Sequence, residues 1–364
     1  MRVYLDHNAT APLCAPAREA MLHWLGRTGN ASSVHAEGRA ARDAISVARL
    51  QVARALGLPE RDAERCVVFT SGATEANRRV LEGAREVVTT AIEHPSVALP
   101  AKARGARVVP VDRAAQLDPE AARAALTSDA LFAVVLAHHE LGVIADVARL
   151  RELAIERSAR LHLDATQAFG RIPVDVQTLG CDTLAVSGHK IGGPQGVGAL
   201  VAAPGIALPT DFGGHQERGR RAGTENVLAI VGFGAACEAV EGRLRVMPEV
   251  ERRRDRLLAG LGDLVESVIT APARLPNTLC LRAPGVDAEG LVMALDLAGV
   301  AVSRGAACTS GTTETSPSLR ALGLTTEQAL EVFRVSLGPE TDDAAVELAV
   351  ERIERVLRRL RGLR

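Results

Sequence analysis

The sequence predicts an α/β protein in which a mostly parallel sheet is covered by helices on both faces. Short apolar runs rich in β-branched residues alternate with longer segments whose apolar residues recur every three or four positions. The second pattern is typical of amphipathic helices. The apolar runs do not alternate with polar residues, which indicates strands buried on both faces, as in parallel sheets.

The first part of the chain supplies the elements of this sheet. The predicted strands are CVVFT (66–70), EVVTT (86–90), ARVVPV (106–111), LFAVVLA (131–137), LHLD (161–164), TLAVSG (183–188) and VGALVA (197–202). The predicted helices span 74–84, 118–127, 146–158 and 226–241. We expect these elements to form a large domain covering residues 15–245.

After the helix at 226–241 the pattern changes to that of a smaller α+β domain. A long charged helix containing PEVERRRDRLLAGL leads into NTLCLRAP (277–284), VAVSRG (300–305) and VFRVSLG (332–338). A last helix is predicted from Asp342 to Leu360. We expect this domain to comprise residues 246–364 together with residues 1–14, which agrees with a length of about two domains.

Composition narrows the class of function. A net charge of −1 and a pI of about 6.8 do not favour a nucleic-acid or membrane partner. The start, MRVYLDHNATAPLC, lacks the features of a signal peptide. The cysteines show no CxxC pairs or metal-like spacing, so we expect reduced thiols in a cytoplasmic protein. These cysteines are Cys14, Cys66, Cys181, Cys237, Cys280 and Cys308.

One lysine suggests the chemistry. Of 43 lysine and arginine residues, only Lys102 and Lys190 are lysines. Lys190 lies in LAVSGHKIGGPQGVGAL (184–200), between a predicted strand and a glycine-rich turn. Arginine is always protonated, whereas a lysine amine can form a Schiff base with a carbonyl. The sequence therefore predicts a carbonyl-binding role for Lys190, against the alternative of a surface lysine.

Other polar residues follow neighbouring strands, at the sheet edge where α/β proteins bind ligands. CVVFT runs into SGATEAN, where free N–H groups with Ser71 and Thr74 could bind a phosphate, or where Glu75 marks an ordinary helix cap. Asp164 ends LHLD and is either a helix cap or the partner of a protonated pyridine nitrogen. Pyridoxal 5'-phosphate (PLP) requires such a partner beside its Schiff-base lysine.

The histidines allow structural or functional interpretations. His94 follows EVVTT and could stack on a pyridine ring, although an isolated histidine is usually structural. The pair His138 and His139, followed by Glu140, could suggest a metal. Because adjacent strand residues point to opposite faces, we expect no shared metal ion there.

Two residues outside the sheet also suggest chemistry. Cys308 lies in GAACTSGTTETSPS, a small and polar run that predicts an exposed loop, where a thiolate could attack a sulfur atom. Arg334 lies within the apolar strand VFRVSLG. A buried arginine requires a carboxylate, and clamping a substrate α-carboxylate would satisfy it.

Taken together, these motifs resemble one enzyme family. YLDHNATAP, GNASSVH, FTSGATEAN, EHPSV, ELGV, HLDATQ, SGHKIGGPQGVGAL, QERGRRAGTEN, SRGAACTS, LRALG and RVSLG occur in family order. The chain resembles cysteine desulfurases of the NifS/IscS type, within the class V aminotransferase group of fold-type I PLP enzymes. The long Cys308 loop is similar to the group I form.

The resemblance implies a role for each candidate residue. Lys190 would bind PLP as a Schiff base, Asp164 would pair with its ring nitrogen, Gln167 would contact its ring oxygen and His94 would stack on its ring. The phosphate would be held by Ala73, Thr74, Ser187 and His189. Thr224, in RAGTEN, would reach the phosphate of a neighbouring subunit, which implies a homodimer.

Substrate recognition and sulfur transfer are assigned in the same way. Arg334 would clamp the substrate carboxylate, and Cys308 would accept the sulfur as a persulfide. The family usually has Asn-Asn where this chain has His138-His139, which places His139 beside the substrate. Arg304 stands where the commoner motif has serine, so it either lowers the pKa of Cys308 or faces solvent.

The expected function is therefore conversion of L-cysteine to L-alanine, with sulfur passed to an acceptor protein for iron–sulfur cluster assembly or another thiolation. One alternative is a PLP-dependent C–S lyase that releases pyruvate from cysteine or cystine and needs no protein thiol. Another is a weakly active sulfur-relay subunit.

Overall fold

A computed structural model describes residues 2–210, 213–271, 273–305 and 315–362. Its strands are β1 (Val3–Tyr4), β2 (Val67–Thr70), β3 (Val87–Thr90), β4 (Arg107–Val109), β5 (Leu131–Val135), β6 (Arg160–Asp164), β7 (Thr183–Ser187), β8 (Gly198–Ala202), β9 (Glu266–Ser267), β10 (Thr278–Arg282), β11 (Val300–Ala301), β12 (Ser303–Arg304) and β13 (Val332–Ser336).

The helices alternate with the strands in the first part of the chain. They are α1 (Ala15–Trp24), α2 (Ala36–Ala55), α3 (Ala63–Cys66), α4 (Ala73–Glu82), α5 (Pro95–Ala103), α6 (Pro119–Ala125), α7 (Val147–Glu156), α8 (Val176–Leu179), α9 (Val227–Glu238), α10 (Val240–Leu261), α11 (Ala288–Leu297), α12 (Pro317–Ala321), α13 (Thr326–Leu330) and α14 (Asp343–Leu360).

The central sheet has seven strands in the order β2-β8-β7-β6-β5-β3-β4. Only β8 runs against its neighbours, so the other six strands end at the same edge. Every residue of β2, β3, β5, β7 and β8 is buried. The predicted α/β class and the mostly parallel sheet are therefore confirmed.

Helix α9 packs between α1 and α2 on one face of this sheet. Its sequence, VLAIVGFGAACE, has no charged residue before Glu238 and is buried over most of its length. A Cβ atom at Gly234 would lie 2.7 Å from Cα of Ala48. Glycine at this position therefore lets α9 and α2 approach closely.

A second, antiparallel sheet has the order β12-β13-β10-β9. It forms a separate core with α10, α11 and α14, built around Leu281, Phe333 and Ile353. The single strand predicted at 300–305 is wrong, because this segment changes partner at Val302. Its first half, β11, pairs with β1, and its second half, β12, pairs with β13. The division into domains at about residue 245 stays a prediction.

A buried ion pair ties the segment before RAGTEN to the central sheet. Nη1 and Nη2 of Arg49 donate to the Glu217 carboxylate, at 2.7 and 2.8 Å. Glu217 also accepts the backbone N–H of Phe69 at 2.9 Å, and its side chain is 1% exposed. The Glu217 carboxylate thus accepts hydrogen bonds from α2 and from β2, and it stabilises the packing of these two elements.

We expect Glu217→Ala to lower the free energy of unfolding by about 3–5 kcal/mol, because it removes the bidentate partner of the buried Arg49. The ion pair that remains is the longer one from Arg49 Nε to the partly exposed Glu64, at 3.4 Å. The exposed pair Arg245–Glu241 provides a matched control, in which Glu241→Ala should cost no more than about 0.5 kcal/mol. Urea unfolding of both variants measures the difference. Equal losses of unfolding free energy in the two variants would show that the buried pair stabilises the protein no more than the exposed pair does.

Candidate active site

A cavity of about 590 Å³ lies at the edge of the central sheet where the parallel strands end. Most residues predicted from the sequence line it together: Ala73, Thr74, His94, His139, Asp164, Gln167, Ser187, His189, Lys190 and Arg334. Thr224 is exposed and does not line this cavity. Cys308 lies outside the described residues.

The N-terminus of α4 forms one end of the cavity. Its N-cap is Gly72, at a φ of 153°, and no side chain caps the helix. Glu75 instead accepts the backbone N–H of Ser71 at 2.7 Å. A Cβ atom at Gly198 would lie 2.8 Å from Cα of Gly72, so glycine there lets this turn approach β8. Uncapped N–H groups at a helix N-terminus suit a phosphate.

Lys190 follows β7 in a short 3₁₀ turn that spans Gly188–Lys190. Its amine donates to the backbone carbonyl oxygens of Asn8, at 2.6 Å, and Ala9, at 2.8 Å. The carbonyl of Asn8 also accepts a hydrogen bond from Gln167 Nε2 at 2.9 Å. Sequence reasoning missed Asn8, although it belongs to the quoted YLDHNATAP segment.

Asp164 ends β6 with both carboxylate oxygens engaged. Oδ1 accepts the backbone N–H of Thr166 at 3.0 Å, and Oδ2 accepts Asn77 Nδ2 at 2.8 Å. No α-helix begins at Asp164, so the helix-cap alternative is wrong and a local turn replaces it. Gln167 has a buried Oε1 without a partner among the described residues, and its amide nitrogen carries a second N–H. Both residues can therefore engage a bound aromatic ring.

His94 is the N-cap of α5, where its Nδ1 accepts the backbone N–H of Ser96 at 3.1 Å. Its ring meets the ring of His139 edge to face, with centroids 5.1 Å apart. Burial lowers the pKa of His94, and the nearby Asp164 carboxylate acts in the opposite direction. The lowered pKa favours a neutral imidazole at neutral pH.

The expectation that His138 and His139 point to opposite faces is wrong. Strand β5 ends at Val135, and the two rings lie 4.6 Å apart. Both nitrogens of His138 are engaged, since Nδ1 accepts the N–H groups of Glu140 and Leu141 and Nε2 lies 3.0 Å from Ser318 Oγ. In the part of the chain that the structure describes, no cluster of three metal-ligand side chains occurs.

Arg334 is buried on β13, beside the cavity, and its carboxylate partner is Asp6. Its Nη2 donates to Asp6 Oδ1 at 2.6 Å, and its Nη1 donates to the carbonyl of His139 at 3.0 Å. Its Nε has no partner among the described residues. The sequence analysis missed Asp6, whose signal was its position just after β1.

Arg304, at the end of β12, is half-buried, with 23% of its side chain exposed. Its Nη1 donates to Glu289 Oε2 at 3.2 Å. This contact lies at the surface, so Arg304 is in part solvent-facing. Its effect on Cys308 stays a prediction.

The mostly parallel sheet brings a lysine amine, a carboxylate and an uncapped helix N-terminus together at one edge. This arrangement is that of the fold-type I class of PLP-dependent enzymes. Residues 3–348 match the family described as aminotransferase class V, and the chain belongs to this PLP-dependent family.

Known proteins of this family resemble the chain over its full length. A cysteine desulfurase of Sinorhizobium fredii is 39% identical, covering 100% of this chain and 98% of the relative. Cysteine desulfurase IscS of Dictyoglomus turgidum is 36% identical, covering 99% of this chain and 96% of the relative. The structure is similar to a NifS-like protein from Rickettsia africae, with a TM-score of 0.90, 31% identity and coverage of 98% and 99%.

Glu140 is a buried carboxyl next to this site, and it is expected to make stability depend on pH. Ser316 Oγ donates to its Oε2 at 2.6 Å, and burial raises its pKa to about 8. The folded protein therefore keeps a proton that the unfolded chain loses above its ordinary pKa of 4.5. The contribution of Glu140 to stability is complete below that pKa and is lost as pH rises towards 8.

We expect Glu140→Gln to reduce the loss of unfolding free energy between about pH 5 and about pH 8, by up to about 1.4 kcal/mol per pH unit. Denaturant unfolding at several pH values measures this slope. Glu351→Gln, at an exposed glutamate, is the control and should leave the slope unchanged. An unchanged slope in Glu140→Gln would show that Glu140 is ionised in the folded protein.

Proposed function

We propose that the protein is a PLP-dependent L-cysteine desulfurase that forms L-alanine and passes sulfur to an acceptor through Cys308. One observation carries the proposal: the Lys190 amine, the Asp164 carboxylate and the uncapped N-terminus of α4 share one cavity. These three groups suit the aldehyde, the ring nitrogen and the phosphate of PLP. The full-length similarity to cysteine desulfurases supports the choice of substrate.

Each cofactor-binding residue would contact a different part of PLP. Lys190 would attach the cofactor through its amine, and Asp164 would accept a hydrogen bond from the protonated ring nitrogen. His94 would stack on the ring and Gln167 would donate to the ring oxygen. The phosphate would lie among the α4 N–H groups and the side chains of Thr74, Ser187 and His189. When bound, PLP withdraws electrons from the substrate α-carbon.

Arg334 and His139 would bind the substrate carboxylate. Asp6 and the carbonyl of His139 hold the guanidinium in place, which leaves its Nε free of partners among the described residues. Burial lowers the pKa of His139 well below its ordinary value, and His138 and His94 lower it further. A neutral His139 can therefore hydrogen-bond without competing with Arg334 for the substrate charge.

Two chain residues would carry the reaction steps. His94, kept neutral by burial, would present its Nε2–H to the cavity, because its Nδ1 accepts the Ser96 backbone N–H. It would take up a proton only when Nδ1 releases that N–H. The Cys308 thiolate would attack the substrate sulfur, so that an S–S bond forms as the C–S bond breaks. The substrate carbon would keep the electron pair of the broken bond and take up a proton, and the carbon skeleton would leave as alanine. The role of Cys308 rests on its loop sequence, because it lies outside the described residues.

Assembly and location belong to the same proposal. Thr224 is exposed and away from its own cavity, which supports a homodimer in which it reaches the partner's phosphate site. The described cysteines are all free thiols, which supports a cytoplasmic location. The described helices include none with the length and apolar character of a transmembrane segment. The acceptor would be a scaffold for iron–sulfur cluster assembly or a thiolation enzyme.

We expect Lys190→Arg to lose the visible absorbance of bound PLP and all turnover, because arginine cannot attach to the aldehyde. Absorbance spectra and an alanine assay measure both losses. Lys102→Arg, at the exposed end of α5, changes the only other lysine of the chain and should behave as wild type. Wild-type turnover in Lys190→Arg would overturn the proposed mechanism.

The products distinguish the possible functions. Purified protein incubated with L-cysteine and a thiol reductant should form alanine, and Cys308→Ala should form none. Quantifying alanine and pyruvate for both proteins provides the test. Pyruvate from both would indicate a C–S lyase, and neither product from PLP-loaded wild type would indicate a sulfur-relay subunit.

A further inference from the structure

Four buried polar side chains form a hydrogen-bonded row behind the cavity: Thr183, His162, Asn77 and Asp164. His162 Nδ1 lies 2.9 Å from Thr183 Oγ1, and His162 Nε2 lies 2.9 Å from Asn77 Oδ1. Asn77 Nδ2 then donates to Asp164 Oδ2 at 2.8 Å. Asn77 and His162 are fully buried, and neither has a role in the proposed reaction.

The chemistry of this row gives it a direction. Burial lowers the pKa of His162, so its ring carries a single N–H. Because the Asn77 oxygen can only accept, this N–H must be on Nε2, and Nδ1 then accepts from the Thr183 hydroxyl. The Asp164 carboxylate can only accept, so it requires the Asn77 nitrogen on its side, and the Nε2–H of His162 holds the amide oxygen in the matching orientation. The opposite orientation would place its oxygen against a carboxylate.

The same amide nitrogen also supports His94. Asn77 Nδ2 donates its second hydrogen to Ser96 Oγ at 2.9 Å. Ser96 Oγ lies 2.8 Å from His94 Nδ1, which also accepts the Ser96 backbone N–H. Since Nδ1 is an acceptor, the neutral His94 ring carries its hydrogen on Nε2. A single amide therefore fixes the carboxylate on one side and the imidazole on the other.

We propose that Asn77, oriented by His162, is a positioning residue that sets Asp164 against the cofactor ring nitrogen and His94 against the ring face. This inference rests on the proposed function, because both targets act on bound PLP. The SGATEAN segment would then have two roles. Its helix N-terminus would bind the phosphate, and its Asn77 would position Asp164 and His94. Loss of the amide should weaken PLP binding without preventing attachment through Lys190.

The experiment measures PLP affinity and the pH at which the visible absorbance of bound PLP changes. Asn77→Asp keeps the shape but loses both N–H donors, and we expect about ten- to hundredfold weaker PLP binding and a shifted pH transition. His162→Phe should act in the same direction, because it releases the amide. His162→Gln offers an N–H near the position of Nε2 and should restore much of the wild-type behaviour. Glu82→Gln, on the exposed side of α4, is the control.

Thermal unfolding of each variant separates positioning from general damage. A lower midpoint with an unchanged PLP affinity and pH transition in Asn77→Asp would overturn the inference. Equal loss in His162→Gln and His162→Phe would also overturn it, since a donor would then be irrelevant. If wild type itself binds no PLP, the proposed function fails, and the inference fails with it. Three results together would support both the proposed function and the inference. Wild type would bind PLP, Asn77→Asp would bind it more weakly with a shifted pH transition, and His162→Gln would behave nearly as wild type.

Discussion

The candidate site depends on one short segment, residues 6–10, which contacts it through both backbone and side-chain atoms. The carbonyl of Asn8 accepts hydrogen bonds from Lys190 and Gln167, and the carboxylate of Asp6 pairs with Arg334. This segment is itself fixed, because β1 pairs with β11 and Asp6 bridges to Ser336 on β13. One short segment therefore contacts both the residues at the ends of the central strands and the antiparallel sheet, and it fixes their relative positions. The side chains of the cavity are positioned from both sides rather than from the central sheet alone.

Electrostatics explains why several imidazoles can share this cavity with a guanidinium. His94, His138 and His139 lie close to one another and near Arg334, so protonation of any of them would add repulsion. Burial lowers the pKa of His138 to about 3, with His94 and Arg334 acting in the same direction. Neutral imidazoles leave Arg334 as the positive partner for a substrate carboxylate, and the Asp6 carboxylate compensates its charge when no substrate is bound.

The sequence predicts the strands of the central sheet well because each is an apolar run buried on both faces. It did not reveal α2, whose buried face includes a glycine, three alanines and an arginine, or α5, which contains Pro100. Lys190 and Asp164 could be predicted because strand ends are recognisable. Asn77 and His162 could not, since the partners in these hydrogen bonds are 87 and 85 positions apart and His162 reads as one residue of a strand. Contacts of this kind arise from topology and leave no local pattern.

The error over His138 and His139 shows how a short displacement of a strand end changes a chemical conclusion. The run LFAVVLA suggests a strand to residue 137, but β5 ends at Val135 and the following residues turn. That turn places both rings on one side and directs Glu140 into the interior, where Ser316 donates to it. A Cβ atom at Gly305 would lie 2.5 Å from Glu140 Oε1, so any other residue there would displace the Glu140 carboxyl. Gly305 and Ser316 thus meet at one buried carboxyl, and the ELG segment links the cavity wall to the residues that flank the stretch containing Cys308.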